Sequence, residues 1–165
     1  MQMDGKKKVL FVMGIGDSTK RILEKMTNIG PRNSLILPNY ESVISPFGDV
    51  MRNILLSVYQ ENIEEIFIVV GKENPKKAAD ILRKIQEHKE MQEKIQTLDY
   101  LFKNCMPEFA EGTIVQWLTG RKITSDCARK SVNVIRNHPL MPSNVNVSGL
   151  VIDPENETLS EIRVS

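Results

Sequence analysis

The chain of 165 residues predicts an α/β fold, with a central, mostly parallel sheet flanked by helices and extended by a C-terminal β-hairpin. Three observations carry this prediction. Residues 66–70 (IFIVV) form an unbroken, β-branched apolar run that stops at Gly71, the pattern of a strand buried on both faces of a parallel sheet. Between a shorter apolar run at 34–37 and this central strand, Val50, Met51, Ile54, Leu55 and Val58 fall on one helical face, which makes a βαβ crossover. Residues 144–152 then alternate, with Val145, Val147, Gly149 and Val151 set against Asn146, Ser148 and Leu150. Residues 159–164 read as the hairpin partner, joined through Asp153, Pro154, Glu155 and Asn156.

The remaining elements follow in order. Residues 9–13 (VLFVM) are a first buried strand, and Gly14 and Gly16 mark a tight loop after it. Asp17 or Ser18 caps a helix over 20–27 whose apolar face is Ile22, Leu23 and Met26, stopped by Asn28, Gly30 and Pro31. The stretch 38–49, with two prolines and Gly48, has little reason to be regular. Residues 73–96 are dense in Lys and Glu around an apolar stripe of Ile81, Leu82, Ile85, Met91 and Ile95, the mark of a solvated helical face. Residues 98–112 mix Tyr100, Phe102, Pro107 and Phe109 and read as short helix and loop; Trp117 reads as a core anchor. A helix carrying Ala128, Val132, Val134 and Ile135, capped by Ser125 or Asp126, ends before Pro139.

Composition bounds the function. The length suits a single domain, 1–165, with one core. A balance of 22 basic against 21 acidic residues offers no field to recruit nucleic acid or an anionic membrane. No apolar run approaches the roughly 20 residues of a membrane span, and the first eight residues have no signal-peptide core, so a cytoplasmic location is expected. Cys105 and Cys127 lack C-x-x-C spacing and read as free thiols. In open α/β sheets the site lies beyond the carboxyl ends of the strands, which directs attention to Gly71, Lys72, Glu73, Asn74 and Pro75, and to the loop after the first strand.

With these elements placed, the chain resembles the β-class carbonic anhydrase family. The most specific block is S-V-N-V-I-R-N-H-P-L-M-P-S-N-V-N-V-S-G-L-V-I-D-P-E-N-E-T-L-S-E-I over 131–162, similar to the family's helix, "hPlxP" turn and "vxGlvyDxxtGxL" hairpin. F-G-D-V-M-R-N-I-L-L-S-V-Y followed by I-E-E-I-F-I-V-V-G resembles its "R-S-L" helix and the strand before its metal loop, and V-L-F-V-M-G-I-G-D-S its first strand and first metal loop. Only 76–112 match weakly. The resemblance implies a homodimer or higher multiple, and zinc held by C-x-D-S-R after the first strand and H-x-x-C after the central one.

This chain departs from that pattern at the metal. Lys72 stands at the family's His and Pro75 at its second Cys. Aligning Asp17 and Ser18 with D-S puts Ile15 at the first Cys and Thr19 at the Arg; an ungapped alignment from the strand puts Gly14 and Gly16 at the Cys and Asp. Neither supplies a thiolate, and the family's "N-A-G" is nearest to Asn39, Tyr40 and Glu41. Zinc wants about four N, S or O ligands, so no cofactor is expected, and rescue by Cys105, Cys127, His88 or His138 would need all to converge on the old cavity. A cavity that loses a cation leaves a carboxylate uncompensated. Lys72 restores that charge if its ammonium pairs with Asp17, with Ser18 or Thr19 taking another of its donors; alternatively it points to solvent.

Three functions remain open at this point. One is a zinc-less, non-catalytic homologue that binds bicarbonate or another small anion around Asp17, Ser18, Thr19, Asn39 and Lys72, or that acts as a regulatory partner. A second is an active carbonic anhydrase hydrating CO2 to bicarbonate. The third is a nucleotide-binding module using the 14–19 loop, although G-x-G-D-S-T is neither a Walker A nor a dinucleotide fingerprint. A triad of Ser18, His138 and Asp17 has less behind it still.

Overall fold

Five strands form one mixed sheet in the order β2-β1-β3-β4-β5: β1 Val9–Met13, β2 Ser34–Pro38, β3 Glu65–Gly71, β4 Asn146–Asp153 and β5 Thr158–Ile162. The computed structural model describes residues 7–14, 17–71, 75–105, 114, 125–153 and 155–164, without the side chains of 17–19 and 75–79; Trp117 lies outside the described residues. β2, β1, β3 and β4 run parallel, and β5 returns antiparallel to β4. The run at 66–70 thus lies in the middle strand, and every one of its residues is buried.

The chain divides into two compact units. One comprises Met1–Lys72 with Ile123–Ser165 and contains the whole sheet. Its helices are α1 (Asp17–Thr27), α2 (Asp49–Glu61) and, nearer the C-terminus, Ser125–Arg136. Strand alternation sends Leu10, Val12, Ile66, Ile68 and Val70 to one face, where they meet Met51, Ile54 and Val58 of α2 and Ala128, Val132 and Ile135 of the late helix. Val9, Phe11, Met13, Phe67 and Val69 take the other face, against Ile22 and Leu23 of α1 and Ile29 beyond it. All five residues of β1 are buried, because both faces are covered. At roughly 1.5–3 kcal/mol per large apolar side chain removed from water, these two layers are the main favourable term in the fold.

Helix ends follow local chemistry. Asn28 and Asn62, both at φ 55°, occupy the left-handed region just past α1 and α2, where asparagine is tolerated better than residues lacking a short polar side chain. The β4–β5 turn is built by Asp153, whose Oδ1 accepts from the amides of Glu155 (3.1 Å) and Asn156 (3.4 Å). Gly149 lies opposite Ile162, and a Cβ there would come within 3.2 Å of the Ile162 side chain. The absence of a side chain lets Ile162 fold into the core.

The second unit, Glu73–Lys122, contains α3 (Pro75–Gln86) and α4 (Lys89–Cys105), which pack together. Pro75 opens α3, where its missing N–H costs nothing. The charged stretch expected as one helical face is two helices, and α4 runs on through residues read from sequence as short helix and loop. No Gly or Pro falls between Pro75 and Cys105 to stop it. No helix among the described residues is long and apolar enough to cross a membrane.

Candidate functional site

Because β1 and β3 are parallel neighbours, with Val12 opposite Ile68, their carboxyl ends open at the same side of the sheet. The chain leaves β1 at Gly14 and re-forms as helix at Asp17; it leaves β3 at Gly71 and re-forms at Pro75. Asp17, Ser18 and Thr19 are the first residues of α1, so the backbone places them at this end. Their side chains, Lys72, and with them the pairing expected between Lys72 and Asp17, lie outside the described residues.

Asn39 is placed at the same end of the sheet, and its amide N–H donates to Met13 O (3.0 Å) at the end of β1. It is only 7% exposed. Its Oδ1 accepts from Glu41 N (3.0 Å), and its Nδ2 donates to Glu41 O (3.4 Å). The side chain thus builds the turn that carries the chain away from the sheet. That turn lays the Tyr40 ring 3.6 Å from where a Cβ on Gly14 would stand, an ordinary contact distance that packs the ring over this strand end.

From Asn39 the chain is strapped along the late helix, which we call α5 (Ser125–Arg136). Ser131, buried on its apolar face, accepts a hydrogen bond from Ile44 N (3.0 Å). His138, just beyond α5 and 6% exposed, lies 2.9 Å through Nε2 from Pro46 O, while its Nδ1 accepts from Leu140 N (3.2 Å). Those partners assign the proton to Nε2, which donates to the carbonyl. The Phe47 ring covers the imidazole at 5.3 Å. Ser131 and His138 are thus the anchors that sequence reasoning missed. The available signal was a serine inside the stripe of Ala128, Val132 and Ile135. Ser131→Ala is expected to destabilise by about 1–3 kcal/mol, the cost of orphaning a buried donor. Urea denaturation together with faster hydrogen exchange at the Ile44 amide would register it; an unchanged midpoint would mean that amide finds another acceptor.

The potential soft ligands are dispersed in sequence and setting. His88 is exposed between α3 and α4, Cys105 is exposed at the end of α4, and Cys127 is half-buried in the first turn of α5. Both nitrogens of His138 are engaged with backbone, so it is not free to serve as a metal ligand or as the base of a triad. Among the described residues no three of His, Cys, Asp and Glu come together as a metal cluster.

No family model matches the chain. It is 43% identical over 154 residues to the carbonic anhydrase-like protein YbcF of Bacillus subtilis (strain 168), covering 93% of this chain and 85% of that protein. Its fold is similar to the carbonic anhydrase of Streptococcus mutans, with a TM-score of 0.59 at 16% identity over 98% of this chain and 86% of the other. It is also similar to the tetrameric β-carbonic anhydrases of Sordaria macrospora, with a TM-score of 0.55 at 15% identity over 94% of this chain and 80% of the other. The parallel sheet, the C-terminal hairpin and the relationship over nearly the whole of both sequences lead to one assignment: the chain belongs to the β-class carbonic anhydrase family.

Proposed function

We propose that this chain is a zinc-less, non-catalytic member of its family. In this reading it works in the cytoplasm as a homodimer and engages bicarbonate or another small anion at the loops leaving β1 and β3, in a regulatory or interaction role. One observation carries the reading. The chain has no cysteine before Cys105 and no histidine before His88, yet β1 and β3 have both ended by Gly71. The residues leaving those strands therefore offer neither thiolate nor imidazole, and a donor set of carboxylate, amine and hydroxyl does not fit a structural or catalytic zinc centre. A lysine at the strand end supplies positive charge that does not depend on a metal, which suits retention of an anion over activation of a bound water.

The test is zinc per chain by elemental analysis, on protein made without a His tag and supplied with zinc during expression. The expected ratio is near zero, with no acceleration of CO2 hydration by the same sample. A ratio near one with measurable hydration would overturn the proposal and restore an active carbonic anhydrase.

A further inference from the structure

At the far edge of the sheet, β5 ends where Ile162 pairs with Gly149, so Asn146, Val147 and Ser148 of β4 have no β5 partner. Arg136 of α5 occupies that gap. Its guanidinium donates to Val147 O (2.6 Å), leaving the other N–H groups of the fork for other acceptors. Arg129 Nε donates to Arg163 O (3.0 Å), which holds the chain beyond β5 against α5 and brings Arg163 to the same place. Between them lies a cavity of about 490 Å³ lined by Arg136, Ser148, Glu161, Ile162, Arg163 and Val164. Two arginines and one glutamate, all three exposed, thus line a single cavity. Among the described residues none of the three joins an ion pair, and the Ser148 hydroxyl has no hydrogen-bond partner.

We infer that this cavity is a binding site for an oxyanion that still carries a proton, the class to which hydrogenphosphate and bicarbonate belong. Guanidinium forks match the charged oxygens of such an anion. An ionised Glu161 only accepts, so it welcomes an O–H and repels an oxyanion whose oxygens are all acceptors. Sulfate is such an anion and is excluded. The net charge of the three groups favours an anion, and Glu161 selects for its proton. The site lies across the sheet from the ends of β1 and requires nothing of the loops there, so it stands or falls separately from the zinc measurement.

The experiment is calorimetric titration of the full chain with inorganic phosphate, bicarbonate and sulfate at fixed ionic strength. Phosphate or bicarbonate is expected to bind saturably at millimolar concentration or below, and sulfate at least about tenfold more weakly, a difference of roughly 1.4 kcal/mol. Arg163→Gln, whose side chain holds no other part of the fold, is expected to weaken binding about tenfold while leaving the melting temperature in place. Glu161→Gln is expected to bring sulfate level with phosphate. The tighter of phosphate and bicarbonate identifies the ligand. Equal binding of sulfate by the unmodified chain, saturable binding that Arg163→Gln does not weaken, or no saturable binding of either protonated anion would each overturn the assignment.

Discussion

Phe11→Ala is expected to lower the free energy of unfolding by about 3–5 kcal/mol. Phe11 lies in β1, between β2 and β3, and is 3% exposed. Its ring stacks on Phe67 of β3 at 5.8 Å, within the layer that includes Ile22, Leu23 and Ile29. Truncation removes the transfer free energy of a benzyl group and leaves a cavity in the layer between the sheet and α1, which close-packed surroundings fill only in part. Loss of the ring pair adds about 0.5–1.5 kcal/mol. Leu35→Ala, at an exposed position of β2, should stay within about 0.5 kcal/mol. Urea denaturation followed by far-UV circular dichroism would separate the two. Equal midpoints would show that the face toward α1 contributes little.

Asp17→Ala carries the other large effect, and it rests on the pairing proposed for Lys72 and Asp17. If the Lys72 ammonium replaces the lost cation, removing Asp17 strands a buried positive charge and should cost about 3–5 kcal/mol. A loss below about 1 kcal/mol is what an exposed pair gives, and it would leave Lys72 pointing to solvent. Comparing Asp17→Ala, Lys72→Ala and the double variant isolates the coupling from whatever Asp17 does as the first residue of α1. If the pair exists, the double variant should be less destabilised than the sum of the singles.

The sheet was legible because its strands carry the strongest kind of pattern. The runs 9–13 and 66–70 are apolar without alternation, and both are buried on both faces; 144–152 alternates, and β4 is followed by its antiparallel partner. The break between α3 and α4 was not legible. It falls at Glu87 and His88, where His88 N donates to Ile85 O and Met91 N to His88 O, and neither residue is a helix breaker. The extent of α4 was obscured by Tyr100 and Phe102, which suggested a change of structure but continue the helix. The stretch after β2 is irregular as expected, yet it is well anchored. Its hydrogen bonds come from Ser131 and His138, residues some ninety positions away that local composition does not reveal. Around the site, the lack of cysteine and histidine in the loops after β1 and β3 is a fact of the sequence itself, whereas the use of the Asn39 amide to build a turn with Glu41 was not legible there.

The strap between this stretch and α5 also sets a timetable for synthesis. Ile44 and Ser131 are 87 residues apart, and Pro46 and His138 are 92 apart. At about 5–20 residues per second, a ribosome needs roughly 4–18 s to make the second partner after the first. The same delay applies to β3, whose partner β4 begins at Asn146. During that interval the central strand presents an unpaired apolar edge to any neighbouring chain. The nascent protein is therefore most prone to self-association before β4 emerges, and a chaperone that shields β3 during that interval would raise the yield of folded protein.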